Sequence, residues 1–259
     1  LFDSFGFVIY DECHHLGAET FSRALLKTGC KYTLGLSATP TRADGLTKVF
    51  QWHLGDIVYK INKRDDENVN VKCIKYTPPV VTSSSTEDLW TEIDGYNKIV
   101  LNYNKKPNSP QMINNICSYL PRTNKIFEET LKCLKEGRKI LILSDRREHL
   151  KVIKSLIDTT EFTSGFYLGG MKERDLEETE GKNVILGTFM MASEGFDCRY
   201  PLDTIVLGSP KSNIEQAVGR ILRQEANERK FVPFVIDIMD EFSTFAGQCF
   251  KRIKFYNKN

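Results

Sequence analysis

Short β-rich apolar runs, separated by stretches of helical spacing, recur from one end of this chain to the other and leave few folds open to it. Runs at 7–10, 32–36, 57–61, 71–76, 139–144, 166–168, 184–188, 204–207 and 231–238 have the length of strands. Several are apolar throughout rather than alternating, as strands covered on both faces must be. Between them the spacing predicts helices over 21–28, 124–134 and 148–157, and another from about Ile214. Repeated strand, helix, strand means parallel crossover units and a doubly wound sheet. A length of 259 residues is enough for two modest domains, each with its own core. The charged run Lys63-Arg64-Asp65-Asp66-Glu67-Asn68 reads as a hinge, so the expected domains are 1–64 and 65–259. A loop and irregular helix are expected to fill an inserted segment over about 78–122, with turns near Pro107 and Pro110.

A hydrophobic content of 41% with 27% charged residues is that of a soluble globular protein. No apolar run approaches bilayer length and no basic-then-apolar leader is visible, so a soluble, intracellular, membrane-free protein is expected. Seven cysteines without a C-x-x-C pair fit a reducing compartment better than a disulfide framework or a zinc site. A net charge of +2 does not by itself argue for nucleic acid. Two local clusters are more suggestive: residues 122–154, more basic than acidic, and the tail from Lys251 to Lys258, which mixes cations with aromatics. Either could lie along a phosphate backbone. A solvated helix face and a frayed terminus are the plainer alternatives.

Two constellations carry chemistry. The first is Asp11-Glu12-Cys13-His14-His15, placed where the strand at 7–10 ends. Functional groups of parallel sheets sit at the carboxyl ends of strands. There one acid can hold Mg²⁺ against nucleotide phosphates while its neighbour orients or deprotonates the attacking water. An ordinary strand end with solvated charges is the alternative. The second runs from Gln216 to Gln224, where Gln216, Arg220 and Arg223 fall at i, i+4 and i+7 of a predicted helix. That spacing puts an amide and two guanidiniums on one face, able to embrace a γ-phosphate. Exposed arginines on an amphipathic helix would look the same. Gly219 inside the helix suggests the close approach of another group.

The order of Asp11-Glu12-Cys13-His14, Ser37-Ala38-Thr39, Gly187-Thr188 through Glu194-Gly195-Phe196-Asp197, and Gln216 through Arg223 resembles motifs II, III, V and VI of superfamily 2 DEAD/DEAH-like helicases. Ser37-Ala38-Thr39-Pro40-Thr41-Arg42 and the closing residues Arg252 to Tyr256 look most like the XPB/UvsW-type branch and its relatives in large DNA viruses. The resemblance implies two tandem RecA-like, P-loop NTPase-type parallel-sheet domains, the first truncated at its N-terminus. ATP and Mg²⁺ are the implied cofactors and nucleic acid the implied partner, DNA favoured over RNA, with a place in transcription, replication or repair. For a viral protein the compartment would be the nucleus or cytoplasm of a host cell.

Carried over by motif position, the resemblance gives Asp11 the magnesium, Glu12 the attacking water, and His14 the link from nucleotide to second domain. Ser37 and Thr39 would couple hydrolysis to domain movement. Gly195, Asp197, Gln216, Arg220 and Arg223 would meet the nucleotide from the second domain, the two arginines acting catalytically beside Asp11 and Glu12. Thr188 would meet a phosphate of the nucleic-acid strand, and Ser144 and Arg146, at the motif IV position, would approach its backbone. Cys13 is read as the variable letter of motif II rather than a catalytic thiol.

One departure matters. There is no G-x-x-x-x-G-K-[ST] in the chain, and Gly169-Gly170-Met171-Lys172 does not replace it, so the loop that cradles phosphates is absent. The expectation is a fragment of a longer enzyme, binding ATP weakly and turning it over poorly by itself. The competing readings are a non-catalytic nucleic-acid or protein binding module and the motor subunit of a restriction or repair nuclease.

Overall fold

The computed structural model describes residues 4–38, 40, 45–60, 68–78, 95–194, 196, 198–224 and 226–258. The chain divides into two compact units, Leu1–Asp65 and Asp66–Asn259. In the first, β1 (Phe7–Tyr10) and β2 (Tyr32–Gly35) pair in parallel, Phe7 opposite Tyr32 and Tyr10 opposite Gly35. The crossover between them carries α1 (Glu19–Leu25), and α2 (Thr47–Leu54) follows. Cys13, Leu16, Leu25 and Phe50 form its buried core, with Tyr10 and Leu54 packed against them. Gly35 packs closely here: a Cβ would lie 2.7 Å from Leu54 Cδ1 and 3.0 Å from Cys13 Sγ, so the Leu54 side chain would have to shift to admit one.

The second unit is built on a six-stranded sheet in which every pairing is parallel. Its strands are β3 (Asn70–Lys75), β4 (Ile140–Leu143), β5 (Ser164–Tyr167), β6 (Val184–Gly187), β7 (Thr204–Leu207) and β8 (Phe234–Met239), in the spatial order β3-β8-β7-β4-β6-β5. The helices are α3 (Ser109–Ser118), α4 (Leu120–Lys135), α5 (Arg147–Ile157), α6 (Glu173–Glu180), α7 (Phe189–Glu194), α8 (Glu215–Gly219) and α9 (Ser243–Lys258). All residues of β4, β6 and β7 are buried, which explains their uninterrupted apolar sequences. One apolar cluster contains Leu141, Ile185, Ile205 and Val218, and another contains Ile126, Ile142, Leu150 and Ile236. Alternate residues of each strand thus feed opposite faces of the sheet. The chain leaves β4 toward β5 and β6 on one side and leaves β7, its neighbour, toward β8 on the other. The switch point, where such sheets bind ligands, therefore lies at the carboxyl ends of β4 and β7.

Two expectations are corrected. Residues 57–60 form no strand: Ile57, Val58 and Tyr59 are exposed, and strand propensity without a partner does not make a ladder. The basic segment and the tail turn their key arginines inward. Arg122 is fully buried and donates to both carboxylate oxygens of Asp240 at 2.7 Å, to Gly208 O at 2.6 Å and to Ile238 O at 3.4 Å. Arg252, on α9, grips Asp237 at 2.7 and 3.0 Å, and Tyr256 donates to the same carboxylate at 2.9 Å. An aspartate in or beside an apolar strand needs such a partner to be buried. Asp240→Ala is expected to cost about 3–5 kcal/mol, because it leaves a buried, uncompensated guanidinium. Urea unfolding measures this, and a loss under about 1 kcal/mol would show that the pair is dispensable.

His149, on α5, is buried between Ser144 Oγ (3.0 Å) and Thr123 Oγ1 (3.2 Å). Burial, reinforced by Arg122 nearby, pulls its pKa down to about 3. An unfolded histidine titrates near ~6.5, so below that pH the unfolded chain takes up a proton that the folded chain refuses. Stability from this group is therefore expected to fall as the pH drops from about 6.5 toward 3. Urea midpoints taken from pH 7 to 4 should decline less for His149→Asn than for the wild type.

Candidate nucleotide and nucleic-acid site

The acid turn follows from how β1 ends. Leu36 N donates to Tyr10 O and Cys13 N to Leu36 O, both at 2.9 Å, so strand pairing continues past β1 and holds the turn against β2. Between those anchors Glu12 adopts a left-handed conformation, φ 46° and ψ 45°, before a 3₁₀ turn at Cys13–Gly17. Non-glycine residues rarely accept this geometry, and strain of this kind concentrates at functional sites. Asp11 Oδ1 accepts from Glu12 N at 2.8 Å. Glu12 Oε2 is buried without a hydrogen bond, 3.2 Å from His14 Nδ1. His14 Nδ1 also lies 2.8 Å from Ser37 Oγ, so the acid turn and the segment after β2 are joined by a side-chain hydrogen bond. Cys13 is buried, and burial raises its thiol pKa, which disfavours a nucleophilic thiolate.

Among the described residues no cluster of three or more His, Cys, Asp or Glu could hold a metal by itself. Mg²⁺ brought with nucleotide phosphates needs only one or two carboxylates from the protein. The adjacent Asp11 and Glu12, the latter with an unsatisfied buried oxygen, fit that role. Thr39, Gly195 and Asp197 lie outside the described residues.

In the second unit the predicted helix from Ile214 is shorter than its pattern. α8 stops at Gly219 and a 3₁₀ turn, Arg220–Leu222, follows. Residues three apart eclipse one another in 3₁₀ geometry, so Arg220 and Arg223 remain on one side. Both line a small hollow with Phe196, Cys198, Tyr200 and Leu202, and half-buried Gln216 lies outside that lining. Arg220 Nε donates to Ala192 O at 2.5 Å, which ties the arginine to α7. Ala217, Val218 and Ile221 are buried beneath, as the amphipathic pattern requires. Gly219 does not mark a close approach: a Cβ there would meet nothing within 4 Å, and its place is at the change of helix type.

The expected backbone contacts divide. Ser144 cannot reach a nucleic acid, because it is fully buried; its Oγ engages His149 and accepts from Arg146 N at 3.2 Å. A hydroxyl just past a buried strand served the interior rather than the surface. Arg146 is part-exposed and is braced by α3, donating to Pro110 O at 2.9 Å and to Asn114 Oδ1. Thr188 caps α7, accepting from Met191 N at 3.3 Å. At the switch point itself, Asp145 N donates to Ser209 Oγ at 2.9 Å and Lys211 Nζ meets Asp145 Oδ2 at 3.0 Å. Sequence reasoning missed Asp145, Ser209 and Lys211. Their signal was topological, since strand order alone marks the ends of β4 and β7.

A parallel α/β unit with this strand order, in a chain whose other unit ends a strand in an Asp-Glu turn linked to a serine, has the RecA-like architecture seen in helicases. The fold agrees with solved helicase structures. The UvsW protein of phage T4 matches with a TM-score of 0.50 at 21% identity, covering 98% of this chain and 52% of that one. The Hef helicase domain of Pyrococcus furiosus matches with 0.51 at 11% identity, covering 96% and 74%.

In sequence the chain is similar to helicases encoded by large DNA viruses. Residues 1–42 match the family described as the type III restriction enzyme res subunit. A protein of Acanthamoeba polyphaga mimivirus, named as an ATP-dependent RNA helicase, is 38% identical over all of this chain and 48% of its own length. One from African swine fever virus, named likewise, is 27% identical over 99% of this chain and 51% of its own. The chain thus spans about half the length of the curated relatives it matches.

Proposed function

We propose that this chain is part of an ATP-dependent helicase or translocase that couples nucleotide hydrolysis to movement along nucleic acid. The observation that carries the reading is the acid turn, with Glu12 held in a left-handed conformation and His14 bonded to Ser37. In this reading Asp11 binds the nucleotide's Mg²⁺ and Glu12 accepts the proton of the attacking water. His14 and Ser37 report the state of the site, with Thr39 completing that segment. Arg220 and Arg223 stabilise charge on the transferring phosphoryl group, and Gln216, Gly195 and Asp197 complete the nucleotide contacts. Thr188 and Arg146 contact the nucleic-acid backbone.

The resemblance to the XPB/UvsW-type branch favours DNA, whereas the mimiviral and African swine fever relatives carry the name of RNA helicases. Both substrates therefore belong in the test. ATP hydrolysis is to be measured on a protein that joins this chain to a phosphate-cradling loop, with and without single-stranded or duplex DNA and RNA. Stimulation by nucleic acid, stronger with DNA, is the expected result. Tight nucleic-acid binding with no hydrolysis under any condition would replace the motor by a passive binding module. The 259-residue chain alone is expected to bind ATP weakly and to show little turnover.

A further inference from the structure

The segment between β3 and α3 contains a feature that the nucleotide chemistry does not use. Leu101 and Pro107 form an isolated antiparallel bridge, Asn102 N donates to Lys106 O at 2.8 Å, and Asn108 N donates to Val100 O at 2.7 Å. The result is a tight hairpin. Its tip is fastened from within: Asn102 Oδ1 accepts from Asn104 N and Lys106 N, each at 3.0 Å, and Lys105 takes a left-handed φ of 55°. Its base is fastened to the unit, because Val100 packs on the cluster of Tyr96, Met112, Ile116, Tyr119 and Phe245.

At the summit of this anchored finger Tyr103 is fully exposed, at 101% of its reference area. An aromatic ring with no packing partner, held on a self-braced turn, contributes nothing to the core. Its surroundings indicate what it meets. From Gly95 to Phe127 the sequence has no Asp or Glu; the tip carries Asn102, Asn104 and Lys105, Lys106 follows it, and Lys98 precedes the base of the hairpin. None of these three lysines has an ion-pair partner among the described residues. The helix that follows, α3, braces Arg146 through Pro110 and Asn114, so finger and arginine share one scaffold.

We propose that this hairpin is a contact for single-stranded nucleic acid, in which Tyr103 stacks on an unpaired base and the lysines follow the phosphates. Stacking on an aromatic ring needs an exposed base face, which a single strand or a strand end offers and duplex interior does not. Asparagine amides can bond bases or phosphates, and the absence of acids removes repulsion from the backbone. A protein partner docking on Ile99, Leu101 and Tyr103 would be served as well by acidic residues, and the stretch from Gly95 to Phe127 carries none. The proposal deepens the helicase reading and rests on it only for the claim that the chain meets nucleic acid.

The test is fluorescence anisotropy of labelled dT and U 20-mers with the 259-residue chain. Tyr103→Ala is expected to weaken binding about 5- to 100-fold, while Tyr103→Phe and Tyr103→Trp retain it. The indole of the Trp variant should be quenched on binding. Replacing Lys98, Lys105 and Lys106 by Gln should lower the slope of log affinity against log salt by up to about 2, at about 0.7 per phosphate contact. Measurable wild-type binding that Tyr103→Ala leaves unchanged overturns the hairpin proposal and leaves the helicase reading standing. Failure of the wild-type chain to bind either oligonucleotide at low salt overturns both. Because Tyr103 is wholly exposed, the Ala variant is expected to unfold at the wild-type urea midpoint, which separates lost contact from lost fold.

Discussion

Arg220→Ala, in a protein that carries the chain together with a phosphate-cradling loop, is expected to lower nucleic-acid-stimulated ATP turnover on the order of 10³- to 10⁵-fold. Nucleotide affinity should change far less. A guanidinium that meets the transferring phosphoryl group stabilises charge present only in the transition state, so its loss falls on kcat rather than on binding. Arg220→Lys is expected to recover little of the rate. The Nε bond to Ala192 O at 2.5 Å sets the plane of the guanidinium, and an ammonium that makes that bond has no planar fork left to present to a phosphoryl group. Equal losses of turnover and of ATP affinity in both variants would reduce Arg220 to a ground-state contact. Wild-type turnover in the Ala variant would remove it from the chemistry.

Glu12→Gln is expected to lower turnover about 10²- to 10⁴-fold while ATP binding persists. The substitution keeps shape and hydrogen-bonding reach but cannot accept the proton of the attacking water. Glu12 already has the geometry of a dedicated group: a left-handed backbone, φ 46°, and a buried Oε2 with no hydrogen bond. Removing the charge from a buried oxygen that has no hydrogen bond offsets the loss of its 3.2 Å contact with His14 Nδ1, so the Gln variant is expected to keep about the wild-type stability. Unchanged hydrolysis would take the water-activating role from Glu12. Loss of ATP binding along with turnover would instead make it a nucleotide ligand.

The sheet was legible because its strands are apolar from end to end. Ile140–Leu143, Val184–Gly187 and Thr204–Leu207 have the length and the continuous pattern of strands covered on both faces, and all their residues are buried. The acid turn was legible for a similar reason, since charges at the end of such a run must lie at the strand's carboxyl end. Where pattern and partner came apart, the pattern misled. Residues 57–60 have strand-forming side chains and no ladder. Ser144 has a motif position and a buried hydroxyl. Arg122 and Arg252 contribute to basic stretches in the sequence and to buried ion pairs in the fold.

By itself the sequence determined the class of fold, the acid pair and the arginine cluster, because periodicity and local spacing are properties of neighbouring residues. Tertiary structure alone decided which charges face inward, since Asp237 and Asp240 find Arg252 and Arg122 across gaps of 15 and 118 residues. It decided the bond from His14 to Ser37 as well, made because two strands distant in sequence lie side by side. It also decided that Tyr103, one tyrosine among ten, stands wholly in solvent on a turn held by its own asparagine. Exposure of that kind is set by what the rest of the chain leaves uncovered, and no local pattern encodes it.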